Sequence, residues 1–503
     1  MASKAQSKTV ESARDLFLWD YDSTLFPLAL NRLMVDRYAD EMDEFIQETV
    51  LPAGGTGFLP QQRVFASKSG WHLRRTVKLD PVAEFFWYGL IYKNRARFRK
   101  PLGLDRNVFG FRIVRGEPLP TVRSYANFKA SIAYGAAKFD QSAYFDIASY
   151  FNHIYHHDLV RWFEEAEASP GDVEVFGRFL REISSGRSVD CLPQGLYPSK
   201  MVGSAFLSFL EASNRIRSAR MVRLMDDVWL FDDQRNTIVS DALRIQALLG
   251  DRGLSINVKK SAIPHKASAQ EGIPSTLDEM KVKLLRRRRE AMMDDGGYGE
   301  PDDEETTTIE ELTEEEQEYL LGLLNGSDTT EEDAELVLSL MRDSSEDLMS
   351  FLPTLIQEFP ALAKRTHHFC RDVPDIEELA KILLRHTQGD ATVPEEQLFW
   401  FAKMAEDYLL KARSAGSLLQ ALFEHEQATD ITRAKILEIS TKKFGLPELR
   451  EEQLRSAPSG WLGWAAAVGS RGLAKGQRNH LLKYFRKASP MNRLVGEFVE
   501  SRF

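Results

Sequence analysis

The stretch Met221-Val222-Arg223-Leu224-Met225-Asp226-Asp227-Val228-Trp229-Leu230-Phe231 is apolar and strand-like at both ends, with two adjacent carboxylates at its middle. Two like charges set side by side in a half-buried strand cost on the order of several kcal/mol unless a cation or protons offset them. The stretch therefore reads as a β-hairpin whose tip holds a divalent metal, although Asp-Asp is also an ordinary polar pair for a hairpin turn.

A second carboxylate in a matching setting separates the two readings. Ala143 to Leu159, AYFDIASYFNHIYHHDL, reads as a short apolar strand ending at Asp146 and running into an amphipathic helix that carries Ile147, Phe151, Ile154 and Leu159. A strand-end carboxylate facing a carboxylate pair at a hairpin tip suits two-metal phosphoryl transfer, in which two Mg²⁺ ions about 3.5–4 Å apart share oxygen ligands. Asp146 and Asp226 are the expected bridging ligands, the Ile147 carbonyl a further one, and Asp227 a less direct contributor.

Four segments in order carry a family resemblance. Asp146-Ile147-Ala148-Ser149-Tyr150-Phe151 resembles motif A of reverse transcriptases, Leu192-Pro193-Gln194-Gly195-Leu196-Tyr197-Pro198-Ser199 motif B, Leu224-Met225-Asp226-Asp227 motif C, and Leu254-Ser255-Ile256-Asn257-Val258-Lys259-Lys260-Ser261 motif D. Leu224 stands where the family's box usually has Tyr. That departure is similar to the divergent abortive-infection (Abi) reverse transcriptases of bacterial phage defence, which join a polymerase module to a C-terminal helical-repeat domain.

The resemblance implies an α+β right-hand polymerase fingers and palm followed by an all-α HEAT-like domain. Expected boundaries are a helical N-terminal extension at 1–60, fingers and palm at 61–290, an acidic linker at 291–318 and helical repeats at 319–503. It also implies nucleotide-binding roles. Arg75, seconded by Arg74, sits where a fingers residue holds the triphosphate of the incoming nucleotide, and a guanidinium suits phosphate oxygens. The same two residues also suit a solvated strand edge. Phe151 sits where an aromatic ring excludes a 2′-hydroxyl and selects deoxynucleotides, Gln194 where motif B meets the base pair, and Lys260, with Lys259 beside it, where a cation meets the departing pyrophosphate. Phe151 also reads as a plain core residue of a helix's buried face, and the Gln194 side chain as a partner of its own backbone.

Bulk properties agree with a multidomain protein. The chain has 503 residues, 43% hydrophobic and 28% charged, with a formal net charge of -10. The average conceals segregation: Lys93, Arg95, Arg97, Arg99, Lys100, Arg112 and Arg115 form one basic cluster and Lys281, Lys283 and Arg286 to Arg289 another, while Asp302 to Glu305 and Glu310 to Glu318 are acidic. The two cysteines, Cys191 and Cys370, make no disulfide framework, and the sequence contains no uninterrupted apolar run of membrane-spanning length. A cytoplasmic protein is expected. His153, His156 and His157 lack the cysteine or carboxylate partners of a zinc set and read as surface or core-edge residues.

By the resemblance, the expected activity is DNA synthesis from dNTPs with Mg²⁺ or Mn²⁺, untemplated and primed from a protein tyrosine, leaving DNA covalently attached to the chain. Assembly as a symmetric trimer or hexamer away from membranes is expected with it. Two other activities remain open: an RNA-templated reverse transcriptase of the retron or group II type, and a non-catalytic scaffold on a polymerase fold.

Overall fold

The computed structural model describes residues 11–99, 105–187, 192–266, 280–281, 283–285, 287–288, 312–326, 329–441, 444 and 446–503. Most of the expected acidic linker lies outside the described residues, as do Lys100, Cys191, Arg286 and Arg289.

The chain divides into two compact units along lines other than the expected linear boundaries. Unit 1 comprises Met1–Thr24, Gly57–Gln62 and Phe85–Thr307, and unit 2 comprises Leu25–Thr56, Arg63–Glu84 and Thr308–Phe503. Much of the N-terminal extension and the fingers-like hairpin therefore belong with the helical half.

Long-range polar anchors give the reason. The helix Ala29–Arg37 has no side-chain cap of its own, and the Glu438 carboxylate instead accepts from Ala29 N and Leu30 N, both at 2.9 Å. Phe26 packs edge-on against Phe399 at 5.2 Å, and Tyr38 against Phe498 at 5.5 Å. Strands β1 (Gln62–Lys68) and β2 (His72–Lys78) form a two-stranded sheet. The first of these donates Phe65 N to Glu395 at 3.0 Å and Ser67 N to Glu396 at 2.5 Å, so two buried carboxylates of the helix Glu395–Met404 satisfy its edge.

Unit 1 is built on one five-stranded sheet. Its strands are β3 (Arg106–Phe109), β6 (Gln141–Asp146), β7 (Arg220–Leu224), β8 (Asp227–Asp232) and β9 (Ala262–Lys266), in the order β3-β7-β8-β6-β9; β4 (Ile113–Val114) and β5 (Glu117–Pro118) form a separate ribbon. The inner pairs β7·β8, β8·β6 and β6·β9 are antiparallel, and β3 joins β7 in parallel. Helices follow β6 and β8, so β6 to β9 make two interlocked split β-α-β units, a ferredoxin-like arrangement with β3 added outside. The second crossover helix, Arg235–Gly250, buries Ile238, Ala242, Ile245 and Leu249 at spacings of four and three residues.

Unit 2 contains successive helices from Glu314–Asn325 to Pro490–Arg502. Alternate helices pack together: Ala363–Cys370 on Glu395–Met404, that helix on Asp430–Leu437, then Trp461–Gly469, then Pro490–Arg502. A parallel succession joins Ile376–Gln388 to Ala415–Glu424. No helix among the described residues is long and apolar enough to cross a membrane.

One local expectation changes. The chain does not run from Asp146 straight into a helix, because Ser149 is left-handed (φ 46°) and only a short 3-10 turn, Tyr150–Asn152, precedes the helix His156–Glu165. Motif B leads into two helices, Tyr197–Phe206 and Ser208–Ala212. The motif D segment makes one bridge, Ile256 to Ile147, then a 3-10 turn at Val258–Lys260, and strand pairing resumes at β9.

Candidate functional site

The quoted stretch forms the hairpin it predicts. Leu224 and Asp227 pair in register, leaving Met225 and Asp226 as a two-residue turn in which Met225 is left-handed (φ 55°). A non-glycine residue there costs on the order of 1 kcal/mol, so the surroundings must hold it. Arg223 does so from beneath. Its guanidinium, 1% exposed, donates to Met225 O at 2.9 Å and Ser204 O at 3.1 Å and forms a forked pair with Glu211 at 2.5 and 3.0 Å. One buried cation thus ties the turn to the motif B helix and to the short helix after it.

Asp146 reaches the hairpin through strand register. It closes β6 directly opposite Asp227, the first residue of β8, and opposed residues of an antiparallel pair share a face. The Asp226 carbonyl accepts from Ile147 N at 3.3 Å, clamping the turn to the chain leaving β6. Asn257 fixes the other side: its N donates to Asp146 O at 2.7 Å and its Nδ2 to Asp146 Oδ2 at 3.2 Å.

The electrostatics follow from this crowding. Desolvation first, and then the negative charge of Asp146, push the Asp227 carboxyl above its ordinary value, although the residue keeps solvent access; Lys260 and Lys129 oppose the shift. The two lysines therefore lie within electrostatic reach of the carboxylate pair.

Phe151 lies against the motif B helix. A Cβ at Gly203 would stand 3.0 Å from Phe151 Cζ and 3.5 Å from Met225 Cε, so glycine leaves room for the ring and the turn's methionine together. Tyr150, buried beside Phe151 at 5.4 Å between ring centroids, donates to Gly203 O at 2.7 Å. Gln194 sits before this helix with Nε2 3.4 Å from Asn152 Oδ1, next to a left-handed Gly195 (φ 90°).

Unit 1 thus brings together Asp146, Ile147, Phe151, Gln194, Asp226, Asp227 and Lys260. Arg74 and Arg75 lie on β2, in unit 2, where Arg74 faces Glu396 electrostatically. Sequence reasoning missed Asn257, Lys129, Glu211 and Arg223. Only Arg223 carries a local signal, a charge at a fully inward position of an apolar strand, which demands a buried partner. Of the three histidines, His156 is buried and His153 and His157 are exposed.

Among the described residues no set of three or more His, Cys, Asp or Glu side chains is gathered closely enough to hold a metal ion. The opposed pair Asp146 and Asp227, with Asp226 at the adjoining turn, still offers what Mg²⁺ ordinarily takes from protein, one or two carboxylates, with water and substrate phosphates completing its shell. The Asp227 carboxyl, raised by desolvation and then by the Asp146 charge, is one that a neighbouring cation would favour in its ionised form. The donor set fits a hard divalent ion.

No protein-family model and no curated protein matches the chain. Solved structures similar to it include a Candida albicans telomerase in complex with a TWJ fragment of telomeric RNA (12% identity, 87% of this chain, 72% of that chain, TM-score 0.31). Another is an apo telomerase from Candida tropicalis (10% identity, 87% of this chain, 75% of that chain, TM-score 0.30). At these values the likeness carries neither fold nor activity.

Proposed function

We propose that unit 1 is the palm of a reverse-transcriptase-like DNA polymerase that joins deoxynucleotides by metal-assisted nucleotidyl transfer. The observation that carries it is the direct register of Asp146 with Asp227 beside the Asp226 turn, on a sheet of split β-α-β units. A scaffold has no use for opposed carboxylates at a hairpin tip, where they cost stability.

The bound divalent ions would supply charge neutralisation at the triphosphate and lower the pKa of the attacking 3′-hydroxyl. The chain's own groups do the rest. Asp146 and Asp226, with the Ile147 carbonyl, would hold the ions, and Asp227 would support them less directly. Asn257 keeps the Asp146 carboxylate oriented. Lys260 offers positive charge to the leaving pyrophosphate, and Phe151, braced on Gly203, limits space below the sugar. Arg223 keeps the strained turn in place and is a positioning residue.

The finer reading is a phage-defence polymerase of the Abi kind, template-independent and protein-primed, with the alternating helices of unit 2 as a HEAT-like domain and dNTPs, a covalently attached DNA product and like subunits as partners. Motif order, Leu224 in the motif C box and the succession of helices after residue 313 support it. The test is incubation of the purified chain with Mg²⁺ and labelled dNTPs without template, followed by protease. Product that shifts after proteolysis is expected. Synthesis only with an RNA template would replace this by the retron or group II reading, and no incorporation with Mg²⁺ or Mn²⁺ would leave the scaffold.

A further inference from the structure

The helix Thr121–Lys138 is a long element of unit 1 to which the proposed chemistry gives no task. It lies on the sheet face that carries the carboxylates. Asp227, Trp229 and Phe231 alternate onto one face of β8, and Leu224, opposite Asp227, shares that face. A Cβ at Gly135 would meet the Phe231 ring at 2.7 Å, whereas one at Gly110 would meet Leu224 Cδ1 at 3.1 Å and Ser124 Cβ at 3.7 Å. The Gly135 end of the helix therefore covers the far end of β8, and the Ser124 end lies beside the hairpin tip.

Residues in the turn after Ser124 are thus carried toward the carboxylates. They include Tyr125, a 46% exposed aromatic, and Lys129, one turn on, whose ammonium stands 5.4 Å from the Tyr125 ring centroid. Lys129 is also one of the two cations that Asp227 feels. The other, Lys260, comes from the opposite edge: it precedes β9, at the far end of the strand order from β3 and β7, against which the helix packs. Asp146 on β6 and Asp227 on β8 lie between these two cation-bearing elements. The second aromatic-cation group of the helix is engaged elsewhere, since Arg220 covers Tyr134 at 4.8 Å and donates to Ser131 at 2.7 Å.

We propose that Tyr125 and Lys129 form a subsite for the 3′-terminal nucleotide of a single DNA strand being extended, with the ring stacking on the base and the ammonium pairing with its phosphodiester. This rests on the nucleotidyl-transfer reading, in which two anionic substrates must meet at the carboxylates and the Lys260 side serves only the triphosphate. An exposed ring with an adjoining cation holds any base by its π face and the backbone by charge, which suits a strand of unspecified sequence.

The test measures binding apart from chemistry. A fluorescein-labelled oligothymidylate is titrated with the full chain in EDTA and followed by anisotropy, with dTTP binding measured in parallel. Tyr125→Ala and Lys129→Gln should each weaken strand binding about tenfold, and Tyr125→Phe should retain it. Lys129→Gln should also flatten the salt dependence by about one phosphate contact, leaving dTTP binding unchanged. Circular dichroism melts, with Tyr125→Leu as a second variant, confirm folding. Strand binding unchanged in all variants overturns the subsite, even where the wild type incorporates dNTPs. Strand binding lost in the variants while the wild type incorporates nothing overturns the polymerase reading and leaves a strand-binding surface. A wild type that binds no strand overturns the subsite too.

Discussion

Asp146 and Asp227 stand directly opposite each other at the shared end of two antiparallel strands, β6 and β8, so their carboxylates project from the same face of the sheet. Desolvation, and then the Asp146 charge, hold the Asp227 carboxyl above its ordinary value.

Asp226→Ala should abolish dNTP incorporation while leaving the far-ultraviolet circular dichroism and melting cooperativity unchanged, since Asp226 contributes its backbone, not its side chain, to the clamp on Ile147. A variant with wild-type incorporation would remove the metal assignment.

Asp227→Asn should melt higher than the wild type in EDTA at pH 7. The folded-state pKa of Asp227 is raised, so the native chain holds its proton more tightly than the unfolded chain does. Stability is therefore lost as pH rises through the window between the ordinary carboxylate value and the raised one. The advantage of Asn should shrink as pH falls through that window, and Mg²⁺ should raise the wild-type melting temperature more than that of the variant. Equal melting curves for Asp227→Asn and the wild type at pH 7 would contradict this.

Phe151→Ala should admit ribonucleotides, read as the ratio of ribo- to deoxynucleotide incorporation. Gly203→Ala should erode the same selectivity without touching the ring's chemistry, because its Cβ would sit 3.0 Å from Phe151 Cζ. Overpacking of this kind costs about 1–3 kcal/mol, measurable by urea denaturation. Unchanged selectivity in both variants would remove Phe151 as the gate.

Arg223→Met should destabilise unit 1 by about 3–5 kcal/mol, since it strands Glu211 as a buried charge and frees the Met225 turn. The double variant Arg223→Met, Glu211→Leu should recover most of that loss, although incorporation should stay low because the turn carbonyl has lost its donor. A double variant no more stable than the single one would refute the pairing.

Glu396 gives a pH dependence to unit 2. Burial raises its carboxyl to about 7, against Ser67 N, Arg74 and Lys364, which lower it, with Glu395 adding to the rise. A raised folded-state value means that stability falls as pH climbs from the ordinary carboxylate range through about 7. Glu396→Gln should match the wild type near pH 5 and melt above it near pH 8, and identical profiles would dismiss the effect.

Local pattern made much of this site legible. The apolar-Asp-Asp-apolar run announces a hairpin, and the apolar strand ending at Asp146 announces a second carboxylate at a strand end. Asn257 and Lys129 were not legible in the same way, because a polar residue in a loop or on a helix flank looks the same whether it faces water or a carboxylate. The shape of motif D was hidden for a related reason: Leu254 to Ser261 has a strand-like composition, yet it runs beside the irregular chain leaving β6, where Ser255 O accepts from Ala148 N, Asn257 N donates to Asp146 O, and the bridge is confined to Ile256.

The sequence alone showed where the central hairpin turns and where carboxylates interrupt its strands, because φ/ψ preference and hydrophobic period act over a few residues. Tertiary structure alone decided that Asp146 meets Asp227, that a buried Arg223 finds Glu211, and that Leu25–Thr56 joins the C-terminal helices through Glu438. Strand register and buried charge pairing are choices among distant partners, fixed only when the whole core closes and each buried polar group must be satisfied.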